Sequence, residues 1–460
     1  MKNAIQSTRR TFDIDFLEGP YGNNNLTSCS TRYACHIESC LSFSTREIEK
    51  YYFAQWQPIV YDGLLISAAV EYCDRTYPRQ KRHWGRNFRI KIPVLESQVW
   101  ERKDVYKQLV NALGTLTGDQ WGFDFLPSKE KRDPSTDAML ALPSDVKAIM
   151  PFSDGLDSLA VATILENEFT DSLIKLRIGP EDSKKHLRKK ASTAFSTIPF
   201  KVTSPNKHNP ENSFRARGFK FLIACGLAAF LSKANQVILP ESGIGSLGPS
   251  FVTVAHAHPD YRGHPVFTKQ MELLFNLVLD TQIDIHVPQL WQTKGQTVRD
   301  AVSIEQRHNY HGTKSCWRTG RNVPGMNAAK KNCGVCAACL LRRLAFHSAG
   351  INDPPKSYIW EDLSVSDFDR TFSMYGVNPS VAHKQYAIAG VRHLSDLANY
   401  RQKNRIEMEY QSTLLASAFG EPKRLIIDQV EQLLAQHESE WNSFVKSLGA
   451  KSFVKKWADK

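Results

Sequence analysis

The chain has 460 residues, enough for two or three domains, and 42% of them are hydrophobic, enough for proper cores. Lys and Arg outnumber Asp and Glu by 59 to 47, a net charge of +12 that permits nucleic-acid contact but that a solvated surface explains equally well, so nucleic acid is not the favoured partner. No apolar run is long enough to span a bilayer and residues 1–10 lack a signal-peptide core; with nine cysteines, four of them clustered, a cytoplasmic protein without a membrane partner is expected, its cysteines holding metal rather than disulfides.

Residues 1–140 are expected to form an α+β domain. Leu65, Ala68, Ala69 and Tyr72 mark a helix, and so do Val105, Leu109, Ala112 and Leu116. Phe88, Ile90, Ile92 and Val94 alternate with Arg89, Lys91 and Pro93, the pattern of a half-buried strand, and Trp121, Phe123 and Phe125 alternate again. LPSKEKRDPSTDA (residues 126–138) reads as a linker. Residues 144–350 then alternate strand and helix. Val146, Ala148, Ile149, Met150 and Phe152 make a buried strand, followed by SLIKLRIG (172–179), IPFKVTS (198–204), QVILPE (236–241) and IDIHVPQL (283–290). A helix carrying Phe267, Met271, Leu274 and Leu277 on one face precedes the last of these. The alternation predicts an α/β fold, a doubly wound parallel sheet with ligands at the carboxyl ends of its strands. The basic run KKHLRKK (184–190) has no interleaved aromatics and reads as a solvated helix face before a polyanion site. Residues 351–460 form a helical C-terminal extension. Ile426, Val430, Leu433, His437, Trp441 and Leu448 mark a long amphipathic helix there, His437 as a core residue rather than a ligand, and no chemistry is expected.

Ser153-Asp154-Gly155-Leu156-Asp157-Ser158 joins the first strand of the middle segment to a helix. Backbone N–H groups at such a helix start point into the turn, and the helix dipole favours an anion there. Gly155 allows close approach or an unusual backbone angle. Asp157, on a turn expected to face the surface, suits a Mg²⁺ that bridges phosphates. The G-x-x-x-x-G-K-[ST] loop of kinases and GTPases is absent from the sequence. The turn is expected to cradle a nucleotide; the plain alternative is an ordinary junction capped by Ser153 or Asp157.

Cys316, Cys333, Cys336 and Cys339 are spaced C-x₁₆-C-x₂-C-x₂-C. Tight x₂ spacings let thiolates converge on one ion, Gly334 permits the turn, and a closed Cys₄ set suits structural Zn²⁺; an Fe–S cluster stays open on spacing alone. Arg318, Arg321, Lys330, Lys331, Arg342 and Arg343 are expected to offset the charge. Cys29, Cys35, Cys40, Cys73 and Cys225 read as structural.

The S-x-G-x-D-S turn followed by this cysteine pattern resembles the QueC family of 7-cyano-7-deazaguanine synthases, within the PP-loop ATP pyrophosphatases. Asp154 stands where that superfamily's S-G-G-x-D-S signature has glycine. SFRARGFKFLIACG (213–226) is similar to the family's arginine-bearing helix, and CGVCAACLLRR (333–343) to its zinc knuckle. QTKGQTV (292–298) is similar to its T-K-x-E stretch, with Gln296 in the glutamate position. The resemblance implies a PP-loop/HUP-like sheet in residues 144–350 and ATP, Mg²⁺ and Zn²⁺ as cofactors. It further implies adenylation of a 7-deazaguanine carboxylate with release of pyrophosphate, then displacement of AMP by ammonia, with a second ATP converting the amide to the nitrile. Ser153, Asp154, Gly155, Leu156, Asp157 and Ser158 would bind the nucleotide; Asp157, Lys294 and Arg217, with Arg215, would act in catalysis. The loop ESGIGSLGPSFVTVAHAHPDYRGH (241–264) suits a purine-like base, with Glu241 pairing to an amino-imino edge. Its His256, His258 and His264 read as loop polarity rather than metal ligands. This loop departs most from the family, whose counterpart carries D-Y-S-G-Y-P.

The N-terminal domain and C-terminal extension resemble those of enlarged QueC-like proteins of bacterial antiphage defence, which implies a partner protein as amine acceptor. Trp84, Trp121 and Trp441 are candidates for a docking surface, or equally for core. Other readings stay open: a 7-cyano-7-deazaguanine synthase of queuosine-type biosynthesis, a tRNA-modifying PP-loop thiolase or lysidine-type ligase, or a non-enzymatic, zinc-stabilised nucleotide-binding scaffold.

Overall fold

The computed structural model describes residues 9–19, 32–44, 57–80, 83–130, 145–179, 198–203, 211, 213, 215–255, 257–317, 331–372 and 379–459. The basic run 184–190, Cys29, His256, Arg318, Arg321, Lys330 and residues 131–138 of the expected linker lie outside the described residues.

The strands are β1 (Thr11–Leu17), β2 (Arg32–His36), β3 (Leu41–Phe43), β4 (Asn87–Val94), β5 (Gln120–Pro127), β6 (Ala148–Pro151), β7 (Leu173–Leu176), β8 (Ile178–Gly179), β9 (Ile198–Val202), β10 (Gln236–Ile238) and β11 (Asp284–His286). The longer helices are α1 (Pro58–Thr76), α2 (Lys103–Thr117), α3 (Leu156–Phe169), α4 (Arg217–Ser232), α5 (Pro265–Leu279), α6 (Lys294–Ile304), α7 (Ala337–Ser348), α8 (Val381–Ala398), α9 (Arg405–Phe419) and α10 (Lys423–Ser447).

Contacts divide the chain into two units. The first comprises Met1–Pro151, Phe169–Leu239 and Phe267–His286. Its N-terminal sheet has the order β2-β1-β4-β5, with every neighbouring pair parallel. Phe12, Ile14, Phe88, Ile90 and Ile92 alternate into its buried face, as the hydrophobic pattern requires. The main sheet of the region expected as α+β is thus parallel, while β3 of the same region pairs antiparallel with β9. Alternation reports that one face is buried; strand direction is set by the crossover helices, which alternation does not encode.

The second sheet, β11-β10-β6-β7, is also parallel. IPFKVTS does not join it. Its strand β9 pairs antiparallel with β3 and parallel with β8 in a separate three-stranded sheet. Phe43 lies opposite Phe200 in that ladder, their rings 6.3 Å apart, so a cross-strand aromatic pair holds β9 to the N-terminal segment. Helix α4 packs closely on its neighbours because it carries Gly226, where an added Cβ would stand 2.3 Å from the Phe275 ring. Cys73 and Cys225 are buried in this unit, and burial pushes both thiols up.

An ion network ties this unit together. Arg79 Nη1 donates to Asp119 Oδ1 at 2.7 Å and Arg86 Nη2 to Asp119 Oδ2 at 2.7 Å, while both arginines also pair with Asp74 Oδ1. Asp74 Oδ2 accepts the backbone N–H groups of Arg215 at 2.6 Å and Ala216 at 2.8 Å, fixing the approach to α4. Trp84 donates to Thr117 O at 2.8 Å beneath the Arg79 guanidinium, and Trp121 is buried. Trp84 and Trp121 thus serve the packing of this unit.

The second unit comprises Phe152–Glu168, Pro240–Val266 and Val287–Lys460. Leu156, Ala160, Val298, Ala301, Ala345 and Phe346 pack together, joining α3, α6 and α7. Two further cores cross residue 350. Ile244, Leu247, Phe251 and Leu290 share one with Leu397, Ile426, Val430 and Leu433. The cysteine cluster shares the other with Val391, Leu394, Trp441 and Phe453. His437 is fully buried with Nε2 3.0 Å from Leu394 O, a core histidine. Among the described residues, no helix is long and apolar enough to cross a membrane.

Candidate functional site

The 153–158 turn is organised by its own serines. Ser153 and Ser158 share an Oγ–Oγ hydrogen bond of 3.0 Å, and the Gly155 N–H donates to Ser153 Oγ at 3.2 Å. Gly155 has no left-handed φ; an added Cβ would meet Ser153 Oγ at 3.0 Å, so glycine serves close approach rather than an unusual angle. Leu156 heads α3 with its side chain in the core, and Asp154 is exposed while its carbonyl accepts the Lys314 N–H at 2.7 Å.

Asp157 is less open than a surface-facing turn implies. Its Oδ2 pairs with Lys294 Nζ, whose side chain is 8% exposed against 20% for Asp157. Asp157 Oδ1 is buried without a hydrogen bond. Lys294 is the first residue of α6, and Thr293 caps that helix. Thr293 Oγ1 accepts from Gln296 N at 3.2 Å, while the Gln296 side chain accepts from Thr293 N at 2.9 Å. Gln296, in the family's glutamate position, thus closes a capping box, a task an amide performs as well as a carboxylate.

Glu241 approaches the same pair. Burial together with the Asp157 charge pushes its carboxyl up to about 7, with Lys294 and Arg262 pulling the other way. Arg262 is held by Asp260, Nε to Oδ2 at 2.9 Å. Cβ atoms added at Gly245 and Gly263 would stand 2.9 Å from Glu241 Oε2 and 2.6 Å from Ser246 Oγ, so both glycines make room for these polar groups. Among the described residues, Ser242 Oγ, Ser246 Oγ and His264 Nε2 are buried without a hydrogen bond. His264 is fully buried, not loop polarity. Its Nδ1 accepts the Val266 N–H at 3.2 Å, and burial lowers its pKa to about 3, so the ring is neutral with Nε2 protonated.

Cys316, Cys333, Cys336 and Cys339 are all buried, with their sulfurs within 4.8 Å of one another. Thiolates at about 2.3 Å from one zinc stand about 3.8 Å apart; Cys333 and Cys339 are separated by 3.7 Å, Sγ to Sγ. The spacing fits one ion, whereas ligands of a multi-iron cluster sit on different irons and stand farther apart. Gly334 takes φ +91°, and a Cβ there would meet Trp360 O at 2.8 Å, which turns the chain so that the N–H groups of Val335 and Cys336 face Cys333 Sγ at 3.5 and 3.3 Å. Such N–H···S contacts favour thiolate, as a metal ligand requires.

The arginines beyond the knuckle do more than balance charge. Arg342 donates to Tyr310 O and His311 O, both at 3.1 Å, and Arg343 donates to Trp360 O at 2.7 Å with its guanidinium over the Tyr358 ring. From the middle of α7 both side chains reach loop carbonyls, so this pair fastens flanking loops to the knuckle. The second unit thus brings together the serine turn, Asp157, Lys294 and Glu241, and it also holds the four cysteines. Arg215 and Arg217 belong to the first unit; Arg217 is exposed at the start of α4, 5.4 Å from the Phe221 ring.

The family model described as "Queuosine biosynthesis protein QueC" matches residues 246–350. Curated proteins named 7-cyano-7-deazaguanine synthase, from Brucella canis, Brucella suis biovar 1 and Brucella ovis, are 30% identical over 172 residues. The aligned part is 36% of this chain and spans 64% of the length of those relatives.

Proposed function

We propose, from the premise that this chain belongs to the QueC family through its matched segment, that it is an ATP-dependent enzyme forming a C–N bond on a 7-deazaguanine carboxylate. The pairing of Asp157 with Lys294 beside Glu241 carries this reading. In the first step a carboxylate oxygen attacks the α-phosphorus of ATP, and the bond to pyrophosphate breaks. In the second an amine attacks the acyl carbon, AMP leaves, and the amine loses a proton. The backbone N–H groups of the 153–158 turn and the α3 dipole would hold phosphate oxygens. Asp157, with Oδ1 uncommitted, would hold Mg²⁺, which supplies charge neutralisation between phosphates. Lys294 would then stabilise charge building on the α-phosphate.

Glu241 would accept the amino and imino N–H groups of the base. Ser242, Ser246 and His264, each with a buried polar atom lacking a bond, are suited to donate to its carbonyl oxygen. The cysteine set would hold a structural Zn²⁺, a closed site with no position for substrate. We further propose that the acceptor is a partner protein's amine, in antiphage defence. The large share of the chain outside the aligned segment supports that extension. The relatives' printed name favours a second reading, in which ammonia is the acceptor and a second ATP carries the amide to a nitrile. Product mass spectrometry with ATP and 7-carboxy-7-deazaguanine separates the two. One AMP per turnover and a mass shift on a partner protein support the first; free nitrile at two ATP per turnover, with no partner, replaces it with the second.

A further inference from the structure

The capping box at α6 leaves one hydrogen unassigned. Thr293 Oγ1 accepts from Gln296 N, so its hydroxyl proton is free to point elsewhere, and it goes to Glu440 Oε1 at 2.8 Å. Glu440 lies on α10, far along the chain and outside the segment matched by the QueC model. It is 6% exposed, and Gln436 Nε2 holds the same oxygen at 2.9 Å. A second contact is independent of the first. A Cβ added at Gly295 would stand 2.9 and 3.0 Å from the two Glu440 oxygens, and 2.7 Å from Ser348 Cβ. The carboxylate therefore sits over the backbone on both sides of Lys294, at Thr293 and at Gly295.

A helix cap needs only the threonine and glutamine already present. Burying a carboxylate as well carries a desolvation penalty that its bonds must offset. What Glu440 adds is orientation. It fixes the Thr293 hydroxyl rotor, and donation to a carboxylate makes that hydroxyl a stronger acceptor for Gln296 N. Both effects act on the backbone from which Lys294 reaches Asp157.

We propose that Glu440 is a positioning residue for Lys294, so that the C-terminal helix completes the construction of the site. The kinetic part rests on the function proposed above; the structural part does not. The test uses full-length protein with Glu440→Ala, Glu440→Gln, Thr293→Val and Thr293→Ser. Acylation of Lys294 by an amine-reactive acetyl ester is followed by peptide mass spectrometry without substrate, with exposed Lys423 as internal reference. Glu440→Ala and Thr293→Val should each speed Lys294 acylation about tenfold at unchanged Lys423. Glu440→Gln and Thr293→Ser, which keep the hydroxyl–oxygen bond, should stay near wild type. In AMP formation from ATP and 7-carboxy-7-deazaguanine, Glu440→Ala should lower kcat about tenfold while KM for ATP moves little. Unchanged Lys294 acylation in Glu440→Ala overturns the proposal, and so does Glu440→Gln behaving like Glu440→Ala. Should Glu440→Ala not fold, Thr293→Val reads the same bond from its other end. A wild type that forms no AMP removes the proposed function, and the acylation rates still decide the role of Glu440.

Discussion

In the first unit, Asp74, Asp119, Arg79 and Arg86 balance two acids against two bases. Asp74 Oδ2 takes two backbone N–H groups, and the other three carboxylate oxygens each accept from both arginines. In the second unit, Asp157, Glu241 and Asp260 stand against Lys294 and Arg262, three acids against two bases. One oxygen of Asp157 is unbonded, and the Glu241 carboxyl is lifted to about 7. Every carboxylate oxygen of the first cluster is bonded, whereas among the described residues Asp157 Oδ1 of the second finds no hydrogen-bond partner. A closed network supplies rigidity and has no capacity for a ligand; an unbalanced one is costly until something arrives to complete it.

The largest effect should come from breaking the closed network. Asp119→Ala leaves the two buried arginines, Arg79 and Arg86, to share the single charge of Asp74 and should destabilise the protein by about 3–5 kcal/mol, read from urea midpoints. Metal removal comes next. Purified protein should carry about one zinc per chain by elemental analysis, and Cys336→Ala should lower Tm more than Cys225→Ala, since it opens a closed ligand set. Iron with sulfide, or no metal, would contradict this.

The open cluster should separate activity from stability. Asp157→Asn, which keeps a hydrogen-bonding partner for Lys294, should reduce AMP formation about a hundredfold while Tm shifts little. Asp157→Ala is the poorer probe, because Lys294 is nearly buried and would lose its ion pair. Undiminished AMP formation by folded Asp157→Asn removes the residue from the site.

The pH response of Glu241 sharpens the contrast further. Its carboxyl titrates near 7 in the folded protein, above the ordinary value of about 4.3, so the charged form is disfavoured by folding. Stability of the ligand-free protein should therefore fall as pH rises from about 4 through 7 on this group's account. Base recognition needs the carboxylate and should run the other way, with KM rising as pH drops below about 7. Glu241→Gln should flatten both profiles; a KM profile unaffected by that change would refute the base-reading role. The smallest effect is expected at Asp154, whose side chain is exposed. Asp154→Gly should preserve or raise AMP formation, and complete loss would mean that Asp154 holds metal.

Motifs whose chemistry is local were readable from sequence. The cysteine spacing and Gly334 encode a turn that can be built within a few residues, and the buried sulfurs lie together. The turn at 153–158 was legible as a strand-to-helix junction for the same reason. Long-range pairings were not. Nothing in IPFKVTS distinguishes a strand of the main sheet from one that pairs with Leu41–Phe43, because its alternation specifies a face and not a neighbour. Arg342 and Arg343 looked like counter-charges because sequence shows charge and hides the carbonyls they reach. Glu440 carried no signal beyond helical spacing; the trace it left is Gly295, where no Cβ fits.

The core around the cysteine cluster is finished by residues that the ribosome delivers well after the cysteines themselves. Cys316 to Cys339 emerge well before Trp441, Phe444, Phe453 and Val454, which cover them. While that delay lasts, the thiols are nascent, exposed and able to exchange metal or oxidise. Capture of an ion could begin early, but its retention would depend on delivery of these later residues. A polypeptide released prematurely would keep all four sulfurs and lack their covering, and would present itself to proteolysis as an unfinished molecule.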